Sequence, residues 1–168
     1  MMRIYDVLIR ISAKILRKQG LKGEKRMVEI KIRYVRPIQP IAPISKGDWI
    51  DLRAAEDVSI AKGQLKMIPL GVAMELPAGY EAIIAPRSSL AKNYGILLAN
   101  SIGIIDESYK GDNDEWQFPA YAINDVVIPK NTRIAQFRIL EHQPEIRFKA
   151  VGRLGNPDRH GFGSTGTV

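Results

Sequence analysis

Beyond Met27 the sequence is a series of short apolar runs cut by turn residues, and that rhythm admits few folds. Val28, Ile30, Ile32 and Tyr34 alternate with Glu29, Lys31 and Arg33, the period of a half-buried strand. Pro37, Pro40 and Pro43 then forbid a helix and predict an extended connector. Residues 49–54, 65–76, 80–85, 101–105, 115–123 and 132–140 read as further strands, mostly bounded by Gly, Pro, Asn or Asp. One short helix is expected, beginning near Ser88 and Ser89. Strands this short and this closely spaced predict a mainly β fold, a jelly-roll-like barrel or sandwich. The Gly-rich stretch from Gly152 is expected to be a mobile C-terminal tail.

A chain of 168 residues with 45% hydrophobic side chains suffices for one domain with a core. The absence of cysteine excludes disulfide scaffolds, zinc ribbons, iron–sulfur sites and thiol nucleophiles. Two histidines, His142 and His160, exclude a multi-histidine metal cage. No apolar run approaches the roughly 20 residues that span a bilayer. The net charge of +7 is uneven: residues 1–26 carry +6 and residues 27–168 carry +1. A body so nearly neutral supports no stable nucleic-acid partner. The expected division is a basic extension over 1–26, a β domain over 27–154 and a tail over 155–168. In the extension Ile4, Leu8, Ile11 and Ile15 recur at helical spacing, with Arg3, Arg10, Lys14 and Arg17 largely on the other side. It reads as a loose leader, or as an amphipathic helix that contacts anionic surfaces. The expected location is cytoplasmic.

Four segments depart from ordinary strand-and-turn chemistry. Pro86-Arg87-Ser88-Ser89-Leu90-Ala91-Lys92 ends a strand and places two serines to cap a helix start, beside the fixed charge of Arg87. In the segment from Asn100 to Gly111, Gly103 permits close backbone approach, and Asp106 stands where a strand gives way to a turn. A carboxylate so placed is either a general base or a partner of turn amides. The following Asp112, Asp114 and Glu115 read as surface charge. Gln136 is a polar residue inside an apolar strand, edge-facing or aimed into a site. Last, Gly161-Phe162-Gly163-Ser164-Thr165-Gly166 combines a backbone able to wrap an anion with two hydroxyls and an aromatic face.

Together these segments resemble the trimeric dUTP diphosphatase (dUTPase) family. The resemblance covers residues 27–168, with five motifs in order. Pro86-Arg87-Ser88-Ser89-Leu90-Ala91, Gly103-Ile104-Ile105-Asp106 with Tyr109 and Gly111, and Gly161-Phe162-Gly163-Ser164-Thr165-Gly166 are the most specific. Asp51-Leu52-Arg53-Ala54-Ala55 resembles the first motif and Thr132-Arg133-Ile134-Ala135-Gln136 the fourth. The resemblance implies a jelly-roll subunit, a homotrimer with shared active sites, and Mg²⁺-assisted hydrolysis of dUTP to dUMP and pyrophosphate. That reaction limits uracil in DNA and supplies dUMP for dTMP synthesis.

By the same resemblance Asp106 is the base that activates water, and Asn100, Gly103 and Ile105 frame the uracil. Tyr109 packs on deoxyribose. Arg87, Ser88, Ser89 and Gln136 organise the phosphates, with Ser88 near the leaving oxygen. Asp51 supports metal-bound water, and no direct protein ligand to the metal is expected. Phe162 stacks on uracil, while Arg159, Gly163, Ser164 and Thr165 close over the terminal phosphate. The sequence departs from the family at Trp49 and Ile50, where a small residue and a tyrosine are usual, and in a longer link over residues 112–116. Arg159 precedes Phe162 by three residues where five is common, so Arg153 is an alternative for the tail arginine. A dCTP deaminase, alone or bifunctional, is the enzymatic rival reading. A nucleotide-gated interaction protein is the non-enzymatic one.

Overall fold

The computed structural model describes residues 27–42 and 47–158. Eleven strands and one short helix follow in order: β1 (Lys31–Tyr34), β2 (Ile50–Arg53), β3 (Val58–Ile60), β4 (Leu65–Pro69), β5 (Val72–Glu75), β6 (Tyr80–Pro86), α1 (Leu90–Tyr94), β7 (Ile96–Leu98), β8 (Gly103–Ile105), β9 (Gln117–Ala122), β10 (Val126–Ile128) and β11 (Arg133–Glu141). Every pairing is antiparallel. A four-stranded sheet runs β2-β11-β6-β8 and a three-stranded one β4-β9-β7, with two-stranded ribbons β1-β5 and β10-β3. The mainly β, jelly-roll-like expectation holds. No helix among the described residues is long and apolar enough to cross a membrane.

Alternation assigns the faces. In the four-stranded sheet Leu52, Ala82, Ile84 and Phe137 are buried, while the intervening Asp51, Ile83, Ala85, Gln136 and Arg138 look away from the core. A register shift between Arg133 and Ala135 breaks the period, so consecutive Ile134 and Ala135 are both buried. In the three-stranded sheet Ile68, Phe118, Ala120 and Leu98 line the core, and Leu65, Met67, Leu97 and Tyr121 lie on its outer face. Trp116 meets Phe137 edge-on at 5.2 Å between ring centroids, tying the two sheets together. Fully burying a side chain such as Phe137 contributes about 1.5–3 kcal/mol.

Several expected elements change in detail. The run 65–76 is two strands, because Gly71 takes a left-handed turn (φ +74°) after Pro69 and Leu70. A Cβ at Gly71 would stand 3.0 Å from Ile38 and 3.1 Å from Ala55, so the site admits only glycine comfortably. The strand expected from Val28 begins at Lys31 and is exposed rather than half-buried, since β1 pairs with β5 alone in a two-stranded ribbon. The start of the 101–105 strand is delayed to Gly103 by a turn in which Ser101 has φ +62°. Of the four strands of three residues, β3, β7 and β10 are too short to impress a period on the sequence, and β8 was anticipated only as part of the longer apolar run 101–105. Beyond β11, residues 142–158 form no strand or helix and are exposed, Phe148 to 92%.

Candidate active site

The segment that follows β8 carries the strongest chemistry. Pairing of Ile105 with Ala82 fixes the end of β8, and Asp106 comes next. The Tyr109 amide donates to the Asp106 carbonyl at 3.0 Å, closing a turn, and the Ser108 amide donates to Asp106 Oδ1 at 2.8 Å. The Ser108 hydroxyl bond, then this amide bond, hold the Asp106 carboxyl below the usual aspartate range. Desolvation opposes them weakly, and the positive field of His142 adds to them. Asp106 is thus a partner of turn amides, one of the two sequence readings, and its carboxylate is kept ionised.

Around this turn lies an open cavity of about 510 Å³. Asn100, Gly103, Ile104, Ile105, Asp106, Ser108 and Tyr109 form one wall, and Met67, Gln117 and Pro119 on the outer face of the three-stranded sheet form the other. The predicted Asn100, Gly103, Ile105, Asp106 and Tyr109 are therefore gathered together. Gly103 packs closely, since a Cβ there would stand 3.1 Å from the Ile84 Cβ and would push it back by a few tenths of an ångström. Met67, Gln117 and Glu115 line the cavity without having been anticipated. The available signal was Gln117, a polar residue in an apolar strand like Gln136.

Glu115 is not surface charge. Its side chain is 14% exposed and accepts Arg36 Nε at 2.8 Å and the Gly71 amide at 2.9 Å. Asp114 accepts the Gly111 amide at 2.6 Å, and Arg33 donates to the Asp112 carbonyl. Among the described residues no three His, Cys, Asp or Glu side chains gather as a metal-ligating group.

A second cluster forms at the far end of the four-stranded sheet. Asp51 receives Arg87 Nε on Oδ1 at 2.9 Å and Arg133 on Oδ2 at 3.0 Å, so one carboxylate orients two guanidinium groups. Gln136 stands between Asp51 and Ala85 in register and donates to the Pro86 carbonyl at 3.3 Å. Ser88 and Ser89 are exposed beside it. The expected capping is absent: Ser89 is the N-cap of α1 with helical backbone angles, and its side chain makes no cap bond. Both hydroxyls remain available to a ligand. Arg159, Phe162, Gly163, Ser164 and Thr165 lie outside the described residues, while Arg153 falls in the exposed segment after β11.

The two clusters lie at opposite ends of β6. Ile105 pairs with Ala82 and Ala135 with Pro86, a run of about 13 Å at 3.3 Å per residue. Asp106 and Arg87 then extend it in opposite directions. A candidate base in a cavity, with an ordered arginine cluster elsewhere on the same sheet, equips an enzyme acting on a phosphorylated small molecule.

Comparison with known proteins narrows that class. The dUTPase family profile matches residues 41–166. The chain is 59% identical over 141 residues to the SPbeta prophage-derived deoxyuridine 5'-triphosphate nucleotidohydrolase of Bacillus subtilis, covering 83% of this chain and 99% of that one. It is 35% identical over 143 residues to the deoxyuridine 5'-triphosphate nucleotidohydrolase of Streptomyces coelicolor, covering 83% and 78%. Among solved structures, a Staphylococcus bacteriophage 80alpha dUTPase with dUpNHpp superposes with a TM-score of 0.67 at 19% identity, over 82% of this chain and 98% of that one. The chain belongs to the dUTPase family.

Proposed function

We propose that this chain hydrolyses dUTP to dUMP and pyrophosphate, with the sugar and base held in the Asp106 cavity. The observation that carries the reading is the gathering of Asn100, Gly103, Asp106 and Tyr109 around one cavity, in a chain 59% identical to a deoxyuridine 5'-triphosphate nucleotidohydrolase. Asp106, held ionised by Ser108, takes a proton from the attacking water. The water oxygen bonds the α-phosphorus while the bond to the bridging oxygen breaks, and pyrophosphate leaves. Arg87 meets Asp51 through Nε, which leaves its terminal N–H donors for phosphate oxygens. Ser88 stands near the leaving oxygen, and Gln136 and Ser89 order the phosphate end. Tyr109 packs against deoxyribose and leaves no room for a 2′-hydroxyl.

Mg²⁺ is the cofactor in this reading, and the chemistry of Asp51 fits a hydrated ion. Each of its oxygens accepts one arginine, and at 32% exposure the remaining lone pairs face solvent, where metal-bound water can donate. When bound, the ion neutralises triphosphate charge. An α-phosphorus beside Asp106 cannot also meet Arg87 of the same chain, because the two stand at opposite ends of β6. A complete site therefore combines copies, in keeping with a homotrimer. The tail from Gly155, with Phe162, Ser164 and Thr165, closes over it. A cytoplasmic nucleotide pool is the setting.

Product analysis with dUTP, dCTP, dTTP and UTP in the presence of Mg²⁺ tests the reading. dUMP and pyrophosphate from dUTP alone are expected. Ammonia release from dCTP would replace the proposal with a deaminase, and nucleotide binding without turnover would replace it with a sensor.

A further inference from the structure

We infer that the Arg36–Glu115 ion pair positions Tyr109 and thereby sets the preference for a deoxyribose over a ribose substrate. The inference rests on the proposed role of Tyr109 as the wall against a 2′-hydroxyl. Tyr109 sits in a segment, residues 106–115, that crosses from β8 toward β9 and belongs to no strand. Its hydroxyl donates to the main-chain carbonyl of Glu115 at 3.4 Å, so the aromatic ring is referenced to that residue.

The Glu115 carboxylate is in turn fixed by three bonds from two partners. Arg36 Nε reaches both of its carboxylate oxygens, at 2.8 and 3.0 Å, and the Gly71 amide donates to Oε1 at 2.9 Å. Arg36 is itself held by Glu56 at 2.8 Å. The next residue, Trp116, is fully buried and bonds Val72 and Leu70 through its backbone, so Glu115 stands where the segment enters the core. The carboxylate is largely removed from water, and a charge in that position needs its partner more than an exposed one does. The Glu115 carbonyl shares its peptide with the Trp116 amide, which Val72 holds, so loss of the pair removes one of two anchors beside that peptide and loosens the long bond that references the Tyr109 ring. Asp106 is anchored separately, through Ser108 and the pairing of β8. Disturbing Glu115 therefore acts on sugar choice before it acts on the base.

The test is the ratio of kcat/KM for dUTP to that for UTP in the full-length enzyme with Mg²⁺. Glu115→Gln and Arg36→Met should each lower the ratio by about fivefold to tenfold, mainly through better use of UTP, and Arg36→Met, which lies outside the cavity lining, should keep kcat on dUTP within about twofold of the parent. Arg36→Lys, which keeps a charge but not the two-oxygen contact, should fall between. Tyr109→Ala is measured alongside. If it lowers the ratio while well-folded Glu115→Gln and Arg36→Met proteins keep the parent value, the positioning role is overturned and the reading of Tyr109 stands. If Tyr109→Ala leaves the ratio unchanged, the sugar-wall reading itself fails. An equal loss on both nucleotides would assign the pair to stability alone and also overturn the inference. Should Glu115→Gln not fold, Arg36→Lys decides by the same ratio.

Discussion

The Asp106 carboxyl accepts from the Ser108 amide at 2.8 Å and from the Ser108 hydroxyl, so the turn that aims the carboxylate also keeps it ionised. A general base works only when deprotonated, and a lowered pKa keeps Asp106 competent to the acid side of the usual aspartate range. Ser108→Ala removes the larger of the two bonds and leaves the backbone one. The folded-state pKa should rise toward the ordinary value, and the acidic limb of kcat/KM should move to higher pH, with the neutral plateau little changed. The sign follows from linkage. A depressed carboxyl adds stability above its unfolded pKa and loses it as pH falls through the folded one, so the variant loses it at a higher pH. A limb that stays put in a pH–rate profile would remove Ser108 from this role. Asp106→Asn should fold and bind dUTP yet lose about 10²-fold or more in kcat. At this scale the sequence was readable where chemistry is local: an Asp106 that bonds turn amides was one of its two readings, and the amide in question is two residues on, although Ser108 itself was not singled out. Glu115 was misread because its partner Arg36 lies 79 positions away, and nothing near it in the chain announces burial.

Elements were legible in proportion to their length. The strands from Tyr80 and from Arg133, seven and nine residues long, stand close to where alternation placed them. The three-residue strands β3, β7 and β10 escaped because a period needs more than one repeat to be seen, whereas β8, equally short, was found through the apolar run around it. The 65–76 run looked continuous because Pro69-Leu70-Gly71 interrupts apolarity without ending it, and the left-handed Gly71 can be recognised only once φ is known. Likewise the serines of Ser88-Ser89 suggested a cap on composition, whereas the backbone angles of Ser89 decide that no cap forms. The C-terminal residues raise a prediction at this scale. The last strand ends at Glu141, and the described residues after it pack on little. Truncation after Leu154 should therefore leave melting temperature and oligomeric state almost unchanged. It removes Phe162, Ser164 and Thr165, which the proposed function brings to the bound nucleotide, so on that proposal kcat should fall steeply with only a modest loss of nucleotide affinity. Full-rate turnover by the truncated protein would make the tail a passive terminus.

On the scale of the molecule, β6 separates the two clusters that the proposed reaction would bring together. The chain order of the motifs was visible in the sequence, but their placement at opposite ends of one strand was not, because strand order and register are set by pairings far apart in sequence. If each site takes Asp106 from one copy and Arg87 from its neighbour, the two defects are complementary. Asp106→Asn and Arg87→Ala homo-oligomers should each be nearly inactive. Co-expressed or refolded together in equal amounts, they form mixed rings. A site is intact when the cavity comes from an Arg87→Ala chain and the phosphate cluster from an Asp106→Asn chain. Random assembly makes that true for about one site in four, so the mixture should recover about a quarter of the parent kcat per site. The Arg87→Ala chain keeps its own Asp106 cavity, and the Asp106→Asn chain keeps the Asp51, Arg133 and Gln136 cluster intact. Recovery should also need subunit exchange: preformed oligomers mixed without refolding should stay inactive until they equilibrate. A site built within one chain predicts no recovery at any mixing ratio, and that result would overturn the shared-site reading while leaving the fold as described.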